Sequence, residues 1–592
     1  MATQPTQDAV PSESPRDLKF NAGKIDEFVT SMGWTYTDRF GVKHYTIEGL
    51  RWLAQQAIAQ YGYITLDSFE DGNTLTLPNQ VLRLEATGEY YRWDGAFPKT
   101  VPANSTPETT GGIGAGKWLS VGDATLRGDL ATGQQAALIG YEDGTVKDVL
   151  DQLTKVTKKD GFNSVGRFLN LTELRNVTPA AKDIIVYVAS SASASHAETH
   201  LGGGFFQSVD NVQAWPDDGG IVIKPATGTL VWRRINFTAY DMQFWGVKPD
   251  GVTDNAEAIA KACGYAKNNH VELVFPSGNV KSSEAFPFHS KMSVRGAGRE
   301  SSFFSKTTNN KYFVDASLQV DALLVMLPDV YNPAGHEMDT FCFKPKIEGI
   351  TFQRDSLTVD NLCNYGMWGQ KLAAPIIRDA NFYGAYIGLY GEVWFLFEAK
   401  SVQCFGVPGR SYAGVSIAKS VNGKYVSSGT SLNFDLVNVV GFANAFIIAN
   451  MSYSSLRNCT GENISRLNSE PGACVFSFIN PYGINMTACS SEGADAIIIR
   501  VIVADNISGS ATLVVDSYQM VNDTNPAVPT RPFYVDSANA GVVNVTFVGG
   551  DIRTGGSNYL PPLASGTNCN IKVVGASTNA WYILSGATYR EL

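Results

Sequence analysis

The sequence predicts a mainly β protein whose C-terminal part stacks into a β-solenoid. Three observations predict it. A six-residue pattern (apolar, variable, small or polar, apolar, variable, apolar) returns eight times between residues 347 and 547, with a mean spacing of about 28 residues. Within each copy apolar and variable residues alternate with period 2, as strands require. A repeat of about 20 to 50 residues marks stacked units that bury a shared core. Just before the series, residues 244–276 read as turn, short helix and strand, the order expected of a lid on the end of such a stack.

The elements follow in order. Residues 1–125 form a separate module. In it, Ile47 to Tyr61 is an amphipathic helix with Ile47, Leu50, Ala54, Ala57, Ile58 and Tyr61 on one face, followed by short strands at Gln80–Leu84 and Glu89–Trp93. Gly111 to Lys117 has the glycine spacing of a phosphate loop. Trp118 stands where Ser or Thr should meet the magnesium, so the segment reads as a plain loop. Residues 126–160 are a neck. Its helix, Gly144 to Lys155, carries Val146, Val149, Leu150 and Leu153 in a stripe that Val156, just past its end, would extend. Such a stripe needs a partner, either other chains in a bundle or a neighbouring module of its own chain. Residues 161–240 form a small β-rich module with strands at Ile184–Ala189 and Gly220–Lys224. The Ser- and Ala-rich stretch between them holds His196, Glu198 and His200, which read as a solvated loop.

Pro249-Asp250-Gly251 is the core of the lid's turn. Asp254 and Glu257 have the spacing of a capping box, and Ala256, Ile259, Ala260 and Cys263 form the buried stripe of the helix. Val271 to Pro276 is a buried strand. The repeats begin at Ile347, Ile377, Ala399, Phe434, Leu456, Ile484, Val514 and Val542, and residues 241–555 are one solenoid. Residues 556–592 are final coils or a closing cap.

Two stretches resemble a known family. Phe244, then Gly246-Val-Lys-Pro-Asp-Gly-Val-Thr-Asp254, is similar to the opening of the pectate-lyase-like right-handed β-helices of phage tailspikes and polysaccharide lyases, with Trp245 as an insertion. Phe20 to Phe28, Gly88 to Gly95 and Lys117 to Ser120 resemble the N-terminal virion-anchoring domain of phage tailspikes. The resemblance implies a right-handed parallel β-helix in a homotrimer. It implies attachment to phage tail or baseplate proteins through residues 1–125, and cleavage of a bacterial surface polysaccharide, O-antigen or capsule. It also implies residence at the virion tail tip after synthesis in the host cytoplasm.

Composition narrows the partners. The net charge of -10 argues against bulk binding to nucleic acid. Met1 to Asp26 has no apolar core of a signal peptide, and no run approaches a membrane span. Eight Cys in 592 residues are no disulfide framework.

Stacking puts equivalent positions in columns. Cys404 and Cys489 fall at inward positions. The second position of each unit faces outward and carries Glu348, Arg378, Lys400, Asp435, Arg457 and Asn485. The fifth carries Thr351, Asn381, Gln403, Asn438, Thr460 and Ala488. Tyr383, Tyr386, Tyr390 and Trp394 fall in a gap between two coils, with Trp368 just before. Aromatic rings there would stack on the apolar faces of sugars.

No His follows His336, so catalysis falls to carboxylates or to Lys, Arg and Tyr. A glycosidase needs two carboxyl groups, ~5 Å apart for retention or ~6.5–9.5 Å for inversion. Asp435, Glu462 and Glu492 are the expected set, with Trp368, Arg378, Tyr386, Tyr390, Trp394, Lys400 and Arg457 as sugar contacts. No cofactor and no metal is expected. A lyase, with Arg378, Lys400 and Arg457 in its machinery, and a non-catalytic adhesin are the alternatives.

Overall fold

The computed structural model describes residues 4–121, 140–141, 144–156, 166–191, 201–358, 360–467, 472–504, 510–521, 531–537, 541–550, 560–576, 582–583 and 586–592. The chain divides into two compact units, residues 1–157 and 158–592.

The first unit holds helix α1 (Pro15–Thr30), helix α2 (Ile47–Tyr61) and a four-stranded sheet around Phe69, Leu75, Leu82, Tyr91, Val101 and Trp118. Trp118 fills the place a phosphate loop would give to Ser or Thr, and its indole is fully buried. Gly116 N–H donates to the Asp94 carboxylate, so the glycine loop already has its acceptor. Helix α2 has the predicted span, yet Ile47 and Leu50 are exposed, as are Leu18, Ile25 and Val29 of α1. Helix α3 (Val146–Val156) likewise exposes Val149 and Leu150. The side chains of Ile58, Tyr61, Leu153 and Val156 lie outside the described residues.

The second unit opens with a five-stranded sheet made of residues 167–235, with a core of Phe168, Leu174, Val186, Val188, Phe206 and Trp232. A reciprocal cap starts its short helix α4 (Leu171–Arg175). Asn170 Oδ1 accepts from Glu173 N–H at 3.0 Å, and Glu173 Oε2 accepts from Leu169 N–H at 3.0 Å.

The lid follows. Helix α5 runs Ala256–Asn269, and Ile259, Ala262, Cys263 and Ala266 join the main core. Ala260 is exposed, which corrects the predicted stripe by moving it to Ala262 and Ala266. The capping box predicted here is also corrected. Glu257 pairs with Lys261 at 2.6 Å, and Asp254 accepts from Ala256 N–H and Ser283 N–H. The buried Asn255 does the stitching, because its amide bonds Lys248 at N–H and C=O, Thr253 C=O and Lys281 C=O. The inserted Trp245 is buried 5.2 Å from Tyr265 of α5, which makes it part of the lid's packing.

From Tyr240 to Glu591 one continuous 32-stranded sheet winds as a parallel β-helix. Each coil has three faces. The entry face holds strands such as 398–400 and 433–435. The ladder face holds 402–405, 437–440, 460–462 and 490–492. The long face holds Ala385–Phe395, Ala413–Ile417, Asn444–Ala449 and Cys474–Ile479. Apolar side chains stack inside, with Phe352 on Phe382 at 5.4 Å and Phe446 on Phe476 at 4.9 Å. All eight cysteines are free and buried.

The corner between entry and ladder faces is a column of left-handed residues: Gly349, Asp379, Ser401, Leu436, Asn458, Ala488, Ser517, Gly549 and Gly575, with φ from +47 to +71°. This is the physical content of the small or polar third position, since only short or flexible side chains enter that region cheaply. The predicted register holds through Leu456. It then slips. Arg457 pairs with Thr487, not Asn485, and the outward neighbour of Thr460 is Ser490, not Ala488. The last unit is corrected as well, because its corner is Gly549.

Candidate functional site

The entry face carries charges that pair with one another across neighbouring coils. Arg378 bonds Glu398 at 2.6 and 2.8 Å. Asp435 lies between Lys400 at 3.9 Å and Arg457 at 3.8 Å, and accepts from the Asn458 amide at 3.1 Å. Four residues, the Leu436 corner among them, separate Asp435 from Val440, whose in-register neighbour is Glu462. The structure therefore brings Glu462 and Glu492 together and leaves Asp435 in a different column.

On the ladder face two outward columns run side by side. One reads Thr351, Asn381, Gln403, Asn438, Thr460 and Ser490. Its first two members are buried, because Thr351 hydroxyl donates to Arg299 C=O and Arg299 reaches over to Ser401 C=O. The column opens at Gln403. The other reads Gln353, Tyr383, Phe405, Val440, Glu462, Glu492 and Val521. Tyr383 and Phe405 stack face to face, 4.3 Å apart and 3° from parallel. An aromatic shelf thus leads along the ladder to two carboxylates on neighbouring rungs.

The polar column supports these carboxylates. Asn438 Nδ2 donates to Glu462 Oε1 at 2.9 Å, and the hydroxyls of Thr460 and Ser490 lie 3.1 Å apart. Among the described residues neither Glu462 nor Glu492 forms an ion pair. The pair therefore differs from Asp435, whose charge is already met. Asn438, at the outward fifth position of its repeat, and Tyr383 join the site, together with Phe405, which follows its repeat and which no local pattern marks.

The expected aromatic ladder of residues 383–394 is corrected. There is no gap there: Ala385–Phe395 is a full strand of the long face. Trp394 is 0% exposed and donates its indole N–H to Gly369 C=O, so its ring belongs to the core. Trp368 is 4% exposed, packed with Val325 and Leu327 under the excursions of the preceding coil. Tyr390 is half-buried and donates to Glu392 Oε1 at 2.9 Å. Tyr386 is 42% exposed and stacks with Tyr412 at 5.7 Å.

The long face carries a cleft of about 580 Å³ that sequence reading did not find. Residues 333–338 wall it on one side and residues 419–428 on the other. Its floor holds Glu392, which accepts from Tyr390 hydroxyl, from the Gln370 amide at 3.1 Å and from Lys419 Nζ at 2.8 and 2.9 Å. Lys371 Nζ donates to Asn332 C=O at 2.7 Å and Gly335 C=O at 2.6 Å. Burial holds Lys371 below its ordinary pKa, although Glu392 and Glu337 pull the other way. Glu392, Lys371 and Lys419 come from three separate segments, and only the winding joins them. His196 and His200 lie outside the described residues.

Comparisons with known proteins agree with this architecture. Residues 56–123 match the family model described as the tail spike TSP1/Gp66 receptor binding N-terminal domain. Residues 167–237 match the phage tail protein small four-stranded β-sheet domain. The small sheet over 167–235 is that segment, with the two-residue strand Val222–Ile223 as a fifth. A capsule KL64-specific depolymerase of Klebsiella phage P510 is 38% identical over 109 residues, 18% of this chain. The match spans only 11% of the relative's length. The gp42 tailspike of Acinetobacter phage vb_AbaP_AS12 has a similar fold, with a TM-score of 0.56 and 16% identity over 72% of this chain and 74% of that one.

Proposed function

We propose that the chain is a bacteriophage tailspike that depolymerises a host surface polysaccharide by endoglycosidic hydrolysis at Glu462 and Glu492. One observation carries the chemistry: the two carboxylates stand in register on neighbouring rungs, at the end of an aromatic and amide-lined ladder. Neighbouring strands are ~4.8 Å apart. That is near the ~5–5.5 Å between carboxyl groups in retaining glycosidases. One glutamic acid protonates the glycosidic oxygen as the C–O bond breaks. The other forms the glycosyl ester, and water deprotonated by the first then releases it. Tyr383 and Phe405 hold sugar rings by their apolar faces, and Gln403 and Asn438 bond hydroxyls.

The two N-terminal matches support attachment to the phage tail, and the capsule depolymerase relative supports a capsule or O-antigen substrate. The exposed apolar stripes of α1, α2 and α3 support a homotrimer. A place at the virion tail tip, acting from outside the host, is the location these tail-domain matches support. The test is to shorten purified surface polysaccharides with the full chain and with Glu462→Gln and Glu492→Gln. Loss of cleavage in both, with folding intact, supports the reading.

A lyase reading has one specific observation behind it. Lys371 and Lys419 line one walled cleft, burial holds Lys371 below its ordinary pKa, and β-elimination uses a basic side chain together with cationic groups around the uronate. It places the chemistry on the long face, and Lys371→Ala would then abolish cleavage while Glu492→Gln would not.

A further inference from the structure

We propose that the cleft between the small sheet and helix α5 is a second, non-cutting glycan site that takes an acidic sugar. It lies away from the ladder and is independent of which residues cut. Its volume is about 720 Å³, enough for two or more sugar rings. Trp215 on one side and Tyr265 of α5 on the other supply ring surface. Asn268, Asn269, Arg175 and Arg233 supply planar polar groups at the rim. Flat rings with amides and guanidiniums around them are the chemistry that holds a sugar by its apolar face and its hydroxyls.

The loop that presents Trp215 is built, not loose. Asn211 clamps the Trp215 backbone, accepting from its N–H at 2.7 Å and donating to its C=O at 3.1 Å. Asp218 accepts from the N–H groups of Gly220, Ile221 and Val222. Asp217 holds Arg175 through two bonds, at 2.7 and 3.0 Å, and also takes Lys224 N–H and Gly219 N–H. Lys261 is paired with Glu257 at 2.6 Å.

One charge is left over. Arg233 sits over the Trp215 ring, 5.0 Å from its centroid, and among the described residues it makes no ion pair. A cation fixed above an indole, in a cleft where Asp217 holds Arg175, Glu257 holds Lys261 and Asp218 is turned to three backbone N–H groups, selects a sugar with a carboxylate. In a chain of net charge -10 this is a local feature that general electrostatics does not supply.

The test uses the full chain and acidic oligosaccharide fragments prepared from a panel of bacterial capsules, with carboxyl-reduced copies of the same fragments. Binding is followed by saturation-transfer NMR and calorimetry for the parent, Trp215→Ala, Trp215→Phe and Arg233→Gln. The expected result is a fragment whose affinity falls at least tenfold in Trp215→Ala and Arg233→Gln and is kept in Trp215→Phe. Its carboxyl-reduced copy should bind the parent as weakly as the acidic fragment binds Arg233→Gln. Fragment binding indifferent to both substitutions overturns the site, as does a change in oligomer mass without a change in binding. A chain that binds in this way but shortens no polymer removes the proposed hydrolysis and leaves this site standing. A chain that shortens a polymer with fragment binding indifferent to Trp215 does the reverse.

Discussion

Asn438 grips Glu462. Its amide nitrogen donates to Glu462 Oε1 at 2.9 Å, while the buried Oδ1 of the same amide makes no hydrogen bond among the described residues. One end of the amide orients a carboxylate, and the other end is an acceptor waiting for a donor.

Asn438→Ala should therefore lower kcat and raise KM together, by about 1–3 kcal/mol in kcat/KM, the cost of leaving a buried polar partner unmet. Asn438→Asp keeps the shape but puts a carboxylate against Glu462, and should shift the pH profile of kcat upward. A purely structural role would lower the melting temperature and leave that profile in place.

Asp435 and the glutamate pair should separate cleanly. Glu462→Gln and Glu492→Gln should each cost at least about 10²–10⁴ in kcat, the loss expected for the acid/base residue, with the nucleophile no cheaper to remove. Asp435→Asn should leave kcat nearly unchanged. Its side chain is 18% exposed and its charge is shared by Lys400 and Arg457. Partly exposed ion pairs are worth about 0–1 kcal/mol, so the melting temperature should also move little. Steady-state kinetics and differential scanning calorimetry on the three variants check this.

Leu436 is the one large aliphatic side chain in the corner column, at φ +57°. The left-handed region costs ordinary residues roughly 1–2 kcal/mol. Leu436 is half exposed, so little burial is lost on changing it. Leu436→Asn, matching Asn458 on the next rung, should stabilise the β-helix by about 1 kcal/mol. A fall in the urea midpoint would contradict the corner's role.

His289 gives the fold a pH dependence. Burial, with Lys267 adding to it, pushes His289 down to about 4, against the weaker pull of Asp329. The unfolded chain therefore binds a proton near pH 6.5 that the folded chain refuses until about pH 4. Stability is full above the unfolded value, falls between about pH 6.5 and 4, and levels below, for a loss of up to about 3 kcal/mol. His289→Gln should flatten that segment of a melting-temperature-against-pH plot.

The parts of the fold legible in sequence are those where local chemistry marks geometry. The third position of Gly349, Asp379, Ser401 and Asn458 marks the corner because small or polar residues tolerate positive φ. At Ala488 and Ser517 that signal fades into ordinary composition, and the register was lost there. That Glu462 and Glu492 share one edge of the stack was legible from their places just after successive repeats, although their exact register emerges only when Leu456 is paired with Met486. The long face was not. Trp394 reads as a sugar platform by residue type, and only the fold shows its N–H turned to Gly369 C=O. Glu392 and Lys419 are 27 residues apart and meet because the chain winds once between them.

The central claim is hydrolysis by the Glu462–Glu492 pair. The most direct measurement is end-group analysis of a shortened host polysaccharide, by mass spectrometry in ¹⁸O-labelled water with parallel ultraviolet absorbance. Hydrolysis by this pair gives one ¹⁸O at each new reducing end, retained anomeric configuration, no unsaturated uronate, and loss of product in both Gln variants. Products with an unsaturated uronate and no ¹⁸O, formed equally well by the Gln variants, would contradict it.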